Sequence, residues 1–367
     1  MRFLPLTIRI ERRAEPEEWL KAAVPVGSVG VALALSSVIF AAHGLNPLEV
    51  YSVILRSTLT RTGLAWAVVK LIPLLLCALG LVIVFRARIW NIGAEGQLLM
   101  GAVASAGLAL FVMPDAPSAV LVPAMFIVGF LAGAGWALIP GVLRAKLGVN
   151  EVITTLMMNY IAVDILIYLT HGPWRGERAW GRPLTDPIPG QAVLPTVPGT
   201  YIHYPTLILA LVLACAVHVL MEKTGLGYEL KVFGDNPELA RAAGMRPARL
   251  VIISMLLSGG LAGLAGVGEL AGIHKMLNGE RPWSLSSGYG YTAIIVAWLA
   301  RLNPLAAVVA AFFMGALVWA GMSMQTMLDL PFASVNIFNG LILVCLVSGE
   351  LLLRYRVRLI WGGGRGT

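Results

Sequence analysis

Long apolar segments separated by short polar ones are the feature that most constrains this 367-residue chain. A helix that crosses a bilayer needs about 20 mostly apolar residues, because its backbone polar groups find no water in the lipid and must bond within the helix. We identify segments of this kind at residues 22–42, 64–85, 95–113, 119–143, 152–171, 204–221, 250–270, 289–300, 304–322 and 334–350. We therefore predict an all-α, polytopic membrane protein of about ten transmembrane helices, the eighth short enough to be broken or tilted.

The composition and the placement of charge support this class. Charged residues make up 13% of the chain, whereas soluble domains carry roughly 25%. If the N-terminus is cytoplasmic, 19 of the 27 basic residues lie on the cytoplasmic side, seven lie outside, and Lys70 lies within a span. Cytoplasmic loops of membrane proteins carry this excess of Lys and Arg, so both termini are predicted to be cytoplasmic. Because the basic residues stand at the ends of apolar segments, the net charge of +8 does not indicate nucleic-acid binding.

The predicted topology divides the chain into a cytoplasmic tail (1–21), a transmembrane domain (22–350) and a second cytoplasmic tail (351–367). The segment Asn46–Thr58 is amphipathic and too short to cross, so we expect it to lie flat on the outer surface. An external loop, 172–203, is rich in proline and glycine and is expected to resist regular structure. That loop is either a lid or docking surface, or a passive connector.

The cytoplasmic loop 222–249 is the longest polar connection on its side and carries the signature of a short helix. Asn236 is suited to the N-cap, Pro237 to the first turn and Glu238 to the positive end of the helix dipole, and Gly244 is suited to the stop. A short capped helix between two spans is well placed to receive a movement from a soluble partner.

The sequence lacks the motifs of several classes of enzyme and metal-binding protein. None of the six lysines follows a glycine, so no phosphate-binding P-loop is present. There is no G-x-S-x-G elbow, the five histidines show no metal-binding spacing, and the three cysteines all fall inside apolar segments. We therefore predict no catalytic residue, no metal site and no cofactor in this chain.

Four segments carry a family resemblance: FRARIWNIGAEGQLLMG at 85–101, LGVNEVITTLMMNYIA at 147–162, the stretch 234–244, and SSGYGYTAIIVAWLARLNPL at 286–305. They resemble the permease subunits of ABC importers for simple sugars and nucleosides, the ribose- and branched-chain-amino-acid-type family. The combination is most similar to the larger permease of nucleoside importers that use a basic-membrane-protein-type lipoprotein. The resemblance covers nearly the whole chain from about Asn46 onward.

The resemblance implies a transport function and a set of partners. It implies a subunit that forms the path of a nucleoside or simple sugar across a bacterial or archaeal plasma membrane by alternating access. It also implies a second, usually distinct and shorter permease, an external substrate-binding lipoprotein, and an ATPase subunit with two fused domains that holds the ATP and Mg. Contact with that ATPase is assigned to residues of the cytoplasmic loop: Gly234, Asp235, Asn236, Pro237, Glu238, Arg241 and Gly244.

Polar residues inside the predicted spans are candidates for the solute path, each with a structural alternative: Asn91, Glu95, Gln97, Asn159, Tyr160 and Glu269. The first three, interleaved with glycines, are either part of a broken helix that lines the path or simply a polar helix start. Asn159 and Tyr160 either form hydrogen bonds between helices or contact the solute. Glu269 faces either the outer mouth of the path or external water.

Three further expectations are structural. Lys70 is expected to extend its ammonium group to the outer interface. The pairs Gly129/Gly133 and Gly259/Gly263 have the spacing of close helix contacts. Asn336 and Asn339, near the last span, are expected to cap it or to bond between helices.

Two competing functions stay open at this point. A carrier driven by an ion gradient usually places ionisable relays near the membrane midplane, and few charges lie there in this chain. Sensitivity of uptake to ionophores rather than to ATP depletion would identify such a carrier. A membrane scaffold or receptor would show no solute flux with all partners present.

Overall fold

A computed structural model describes residues 6–12, 17–177, 181–328, 337–338, 340–342, 344–345, 348–349 and 355–361. The chain divides into a larger unit, Thr58–Trp319, and a smaller unit that combines Met1–Ser57 with Ala320–Thr367. Asn336 and Asn339 lie outside the described residues, as does part of the tenth predicted span.

Twelve α-helices are defined among the described residues. They are α1 Glu18–Ala42, α2 Pro47–Thr58, α3 Arg61–Arg86, α4 Ala94–Gly107, α5 Ser118–Leu147, α6 Glu151–His171, α7 Tyr204–Lys223, α8 Gly225–Asp235, α9 Pro237–Ala242, α10 Pro247–Glu269, α11 Tyr289–Leu299 and α12 Pro304–Met327. A π-helical turn, Leu108–Val112, continues α4, and a second one, Leu270–His274, continues α10.

Seven helices in the described part of the chain are long and apolar enough to cross a membrane. These are α3, α4 with its π-turn, α5, α6, α7, α10 with its π-turn, and α12. An eighth span results if Gly27–Ala42 and Pro47–Thr58, which meet at a bend of 116°, are counted together. The predicted number of ten is therefore larger than the seven or eight found here. One reason is α11, which has 11 residues and a length of about 16 Å, roughly half of the hydrocarbon core.

The core of the larger unit is built around α3 and α10, which are buried along most of their length. Helix α5 crosses α10 where both carry glycine. A Cβ atom on Gly133 would overlap the carbonyl oxygen of Gly259, and one on Gly263 would overlap that of Gly129. The two glycine pairs predicted to give close helix contacts thus pack against each other, and that prediction is confirmed.

The two tails form a two-stranded antiparallel ribbon, and the rest of the regular structure among the described residues is helical, as the all-α class predicts. Strand β1, Leu6–Arg12, pairs with β2, Tyr355–Trp361, in a register that sets Leu6 opposite Trp361. Strand β1 alternates apolar with polar or charged residues, the pattern of a strand, and β2 does so from Tyr355 to Leu359. The pairing puts both tails on the same side of the membrane, which requires an even number of crossings between them.

Among its described residues, 172–177 and 181–203, the predicted external loop is largely irregular, as expected, with a short 3₁₀ turn and one isolated β-bridge. It is hydrogen-bonded to the segment that follows α10. The amide of Thr185 donates to Leu277 O (3.1 Å), and the amide of Ile188 donates to Lys275 O (2.9 Å). This part of the loop is therefore held over the outer end of α10 by backbone hydrogen bonds.

Candidate functional site

Helix α11 begins at a buried carboxylate from another helix. Glu95 Oε1 accepts a hydrogen bond from the amide of Gly288 (2.9 Å), and Oε2 accepts one from the amide of Gly290 (2.7 Å). Glu95 is fully buried, and a Cβ atom on Gly290 would overlap its backbone. The first turn of a helix carries unpaired N–H groups and a partial positive charge, so Glu95 caps α11 with charge-assisted hydrogen bonds.

A second group of polar side chains lies beside Glu95 at the start of α4. Asn91 Nδ2 donates to Gln97 Oε1 (2.9 Å) and to Ser258 Oγ of α10 (2.9 Å), and Gln97 Nε2 donates back to Asn91 Oδ1 (3.0 Å). All three residues are buried. Because the two amide side chains bond each other reciprocally, the irregular backbone before α4 is stabilised inside the protein.

Asn159 joins α6 to the same region. Its Oδ1 accepts from the amide of Gly96 (2.9 Å), and its Nδ2 donates to Ile92 O (3.0 Å) and to Tyr291 Oη of α11 (3.0 Å). The structure thus brings together four of the six predicted path residues, Asn91, Glu95, Gln97 and Asn159. We name these four the polar cluster.

The other two path candidates lie elsewhere. Tyr160 points away from its neighbour Asn159, is 53% exposed, and contacts Trp283 edge to face with ring centroids 6.2 Å apart. Glu269 belongs to a separate buried group on the α10 side. A role of any of the six in solute contact stays a prediction, since the hydrogen bonds of the polar cluster are made within the protein.

Lys70 is buried rather than extended to the membrane surface, so the expectation that it reaches the outer interface is wrong. It is 6% exposed, and its Nζ donates a 2.6 Å hydrogen bond to Tyr289 Oη at the start of α11. The same Nζ lies 5.8 Å from the ring centre of Trp66 and 5.4 Å from that of Tyr289. Two aromatic faces and a phenol oxygen replace water around the ammonium group.

Glu269 is 1% exposed, so the interpretation that it faces external water is also wrong. Neither of its carboxylate oxygens has a hydrogen-bond partner among the described residues, and His274 Nε2 lies 3.7 Å from Oε2. The charge of Lys70 acts electrostatically on Glu269. A buried carboxylate in this situation depends on a nearby cation, and Lys70 supplies it.

His203 packs against the same part of α10. It is fully buried, and a Cβ atom on Gly272 would lie 2.6 Å from its ring. Burial lowers the pKa of His203 to about 4, and the charge of Lys70 contributes in the same direction. The imidazole of His203 is therefore neutral at pH 7 and adds no positive charge beside α10.

A cavity of about 210 Å³ lies at the N-terminal end of α3, beyond Lys70 along the helix. It is lined by Arg61, Thr62, Ala65, Trp66, Gly199, Thr200 and Tyr201. Trp66 stacks on Tyr201 with ring centroids 4.8 Å apart and on Trp319 with centroids 5.1 Å apart. Trp66 therefore separates this cavity from Lys70, one helical turn deeper.

Left-handed backbone brackets α11 at both ends. Ser287 (φ 45°) and Gly288 (φ 74°) precede the helix, and Arg301 (φ 51°) and Leu302 (φ 57°) follow it. A residue with a side chain pays roughly 1–2 kcal/mol for this conformation. Strain of this kind persists only where neighbouring structure enforces it.

The C-terminal end of α11 is held by the last turn of α3. Arg86 donates from Nε (3.2 Å) and Nη2 (3.1 Å) to the carbonyl oxygen of Leu302. Phe85 and Trp90 pack against Trp298 of α11, with ring centroids 5.8 Å and 6.1 Å apart.

The predicted cytoplasmic helix is present as α9 and has the predicted caps. Asn236 Oδ1 accepts from the amides of Glu238 (3.0 Å) and Leu239 (3.1 Å). Gly244 is left-handed (φ 80°), its amide donates to Arg241 O, and the amide of Met245 donates to Ala240 O, which completes a Schellman stop.

Most of the residues assigned to ATPase contact lie on the exposed surface of this loop. Gly234 is the exception, because it is buried and a Cβ atom there would overlap the carbonyl oxygen of Arg86. Asp235 pairs with Arg88 across 3.7 Å at a largely exposed position. The exposed members are Asp235, Asn236, Pro237, Glu238, Arg241 and Gly244.

Sequence reasoning missed four residues of these clusters: Arg86, His203, Ser258 and Tyr289. Tyr289 lies in the SSGYGY segment, and its flanking glycines signal a close backbone approach. In the sequence, Arg86 indicates only a positive charge at the end of a span. His203 and Ser258 carry no local signal, since their partners come from distant parts of the chain.

The branched-chain amino acid transport system / permease component family matches residues 63–347. The chain is 35% identical to the glucose ABC transporter permease protein TsgB13 of Haloferax volcanii, over 95% of this chain and 93% of the relative. It is 32% identical to the nucleoside ABC transporter permease protein NupB of Lactococcus lactis, over 81% and 83%. It is 29% identical to the guanosine ABC transporter permease protein NupP of Bacillus subtilis, over 92% and 95%.

Each of these three organisms has another, less similar match. These are the putative glucose ABC transporter permease protein TsgC13 of Haloferax volcanii (28% identical), the guanosine ABC transporter permease protein NupQ of Bacillus subtilis (27%) and the nucleoside ABC transporter permease protein NupC of Lactococcus lactis (25%). No solved structure matches the chain.

Proposed function

Since this chain belongs to the family of ABC transport permease components that matches residues 63–347, we propose that it carries a nucleoside or a related simple sugar into the cell. As a permease component of an importer, it is a multi-pass membrane protein that does not itself hydrolyse ATP. The family excludes the alternative of a carrier driven by an ion gradient.

The observation that carries the mechanism is the half-length helix α11, which starts inside the larger unit at Glu95. Broken helices in transporters form solute sites where their ends meet other polar groups within the membrane. Here the polar cluster meets the start of α11, and Lys70 reaches the same turn through Tyr289. We assign the solute path to the surroundings of this turn, with Asn91, Glu95, Gln97, Asn159, Tyr160 and Glu269 as its candidate residues.

The nature of the solute is supported by the names of the relatives. They are described as permeases for glucose, nucleosides and guanosine, all of which are sugars or contain one. A polar cluster of amide side chains suits hydroxyl groups, which both donate and accept hydrogen bonds.

The proposed assembly contains this chain, a distinct second permease, an ATPase subunit with two fused domains, and an external binding lipoprotein. The second matches in Haloferax volcanii and Bacillus subtilis support a pair of non-identical permeases. ATP and Mg are held by the ATPase subunit.

In this assembly, α9 and its flanks form the contact with the ATPase. The exposed Leu239 gives this loop an apolar point at its centre, and Glu238 and Arg241 provide charges beside it. A six-residue helix capped at both ends is a rigid projection, and this suits a segment that transmits movement of the ATPase to the permease.

The proposed topology has ten crossings with both termini in the cytoplasm of a bacterial or archaeal cell. The even number required by the tail ribbon supports it, as does the excess of basic residues on that side.

The experiment is purification of the tagged chain from native membranes in mild detergent, followed by mass spectrometry and reconstitution. We expect a P-loop ATPase, a second permease and a lipoprotein to co-purify, and the complex to take up labelled guanosine or glucose only with ATP. Complexes lacking the lipoprotein or supplied with a non-hydrolysable ATP analogue serve as controls. Uptake of neither solute class by a complete, ATP-hydrolysing complex would overturn the assignment of the substrate.

A further inference from the structure

Three parts of the larger unit meet at Arg86, the last residue of α3. Its guanidinium donates twice to the carbonyl oxygen of Leu302, just beyond α11. The same group lies 3.6 Å from Glu222 at the cytoplasmic end of α7. Its backbone carbonyl is in such close contact with Gly234 of α8 that no Cβ atom fits there. Arg86 therefore links α11 directly to the loop that contains α9.

The turn that Arg86 holds is one of the two strained turns that bracket α11. Arg301 and Leu302 are both left-handed without being glycine, and Leu302 O is the acceptor of both guanidinium hydrogen bonds. Segments with unusual backbone angles at both ends of a short rigid helix are natural hinges. A change at one hinge would reorient α11 as a unit and move its other end, which carries the contacts to Glu95 and Lys70.

We propose that Arg86 is a positioning residue that transmits movement of the α8–α9 loop to α11, and thereby opens or closes the solute path at the start of α11. The inference rests on the proposed function, because it takes the loop to be moved by the ATPase. It adds the route inside the permease by which that movement reaches the path.

The chemistry of the side chain suits this role. A guanidinium is planar and permanently charged, and it can bond a carbonyl oxygen and a carboxylate at the same time in fixed directions. Arg86 is partly buried, with 26% of its side chain exposed, so its bonds are shielded more than those of a surface pair. Arg88, two residues on, reaches the same loop through Asp235, but both partners of that ion pair are mostly exposed.

The test compares Arg86→Gln, Arg86→Lys and Arg88→Gln in the complete importer reconstituted in liposomes. Uptake and ATP hydrolysis are measured together, and the readout is solute transported per ATP hydrolysed. We expect Arg86→Gln to lower this ratio about tenfold while hydrolysis continues. The ratio of Arg86→Lys should lie between those of the wild type and Arg86→Gln, because an ammonium group keeps the charge but lacks the planar set of donors of a guanidinium. Arg88→Gln should leave the ratio unchanged.

The outcomes separate the inference from the function on which it rests. A wild-type complex without ATP-dependent uptake would overturn the proposed function. A coupled wild-type with an unchanged ratio in Arg86→Gln would overturn only the role of Arg86. An equal loss in Arg88→Gln would assign the effect to the charge of the loop and would also contradict the inference.

A second pair of variants decides the matter if Arg86→Gln does not assemble. Glu222 contacts Arg86 through one oxygen and Lys231 through the other, at 2.7 Å. Glu222→Gln weakens both contacts, whereas Lys231→Gln removes only the second. A lower transport ratio in Glu222→Gln alone supports the route through Arg86, and equal ratios in the two variants contradict it.

Discussion

The carboxylate of Glu95 accepts a 2.7 Å hydrogen bond from the backbone amide of Gly290, 195 residues further along the chain. A helix of 11 residues is too short to be stable on its own, and one that starts inside a membrane protein exposes its first amides to a medium without water. Glu95 satisfies two of these amides with one negative charge. The short helix α11 can exist where it does because another helix provides its cap.

Removing this cap should destabilise the larger unit. Glu95→Ala leaves the buried amide of Gly290 and the partly buried amide of Gly288 without acceptors, at a cost of about 2–6 kcal/mol. Glu95→Gln should cost less, because one carbonyl oxygen remains. The thermal unfolding temperature of the purified complex in detergent measures this. Asp115→Asn, at an exposed acidic residue of an outer turn, is the control and should leave the temperature unchanged. Equal temperatures for wild type and Glu95→Ala would show that α11 does not depend on the cap.

The α9 caps and the close helix contacts at the two glycine pairs could be predicted from the sequence, because each depends on local spacing. Seven of the ten predicted spans likewise contain a helix long and apolar enough to cross a membrane. An apolar run of spanning length must be a helix in lipid, and Asn236 bonds amides two and three residues away. The spacing of Gly133 and Gly259 indicates close helix contacts but does not identify the helix that each glycine meets.

What could not be predicted depends on which distant residues meet. Lys70 reads as a snorkelling residue until Tyr289, 219 positions later, is placed beside it. Glu269 ends a glycine-rich run, and nothing in that run reveals that α3 supplies its counter-charge. The ribbon of the two tails joins segments that lie almost a whole chain length apart, so the residue pattern of one tail does not identify the other as its partner.

The contact between α5 and α10 can be tested with two glycines on the same helix. Gly133→Ala would place a Cβ atom on the Gly259 carbonyl oxygen, so we expect a loss of about 1–3 kcal/mol. Gly135 has no atom within 4 Å of its Cβ position, so Gly135→Ala should be neutral or slightly stabilising. Unfolding temperature and yield of monodisperse complex are the measurements. Similar values for both variants would mean that α5 and α10 are less closely packed than described.

The buried charges of Lys70 and Glu269 should behave as a coupled pair. Lys70→Met leaves the Glu269 carboxylate without its cation and should destabilise strongly, by about 3–5 kcal/mol. Glu269→Gln in the same chain removes the stranded charge, so the double variant should be more stable than Lys70→Met alone. A double-mutant cycle in unfolding temperature measures this coupling.

The control for that cycle is Tyr289→Phe, which removes the hydrogen bond to Lys70 but no charge. It should cost only about 0.5–1.5 kcal/mol and should not be relieved by Glu269→Gln. Strictly additive effects of Lys70→Met and Glu269→Gln would show that the two charges are independent.

The C-terminal end of α9 can be disrupted by a substitution that creates no steric clash with other residues. Gly244 has a left-handed backbone, and no atom lies within 4 Å of its Cβ position, so a larger residue is disfavoured by its own backbone alone. Valine in this conformation costs roughly 1–2 kcal/mol or more, because it is branched at Cβ. A six-residue helix has little stability to lose, so Gly244→Val should unravel the end of α9 while the spans insert normally.

Gly225→Ala is the matched control for Gly244→Val, because Gly225 lies in the same loop, has equal space around it and is not left-handed. We expect Gly244→Val, and more severely deletion of residues 236–241, to abolish uptake while ATP hydrolysis continues, and Gly225→Ala to change neither. Neither Gly244 nor Gly225 lies in a membrane span, so a difference in uptake between the two variants would not come from damage to the spans. Normal uptake with Gly244→Val would therefore mean that the shape of α9 is not what the ATPase engages, and that the exposed charges beside it carry the contact instead.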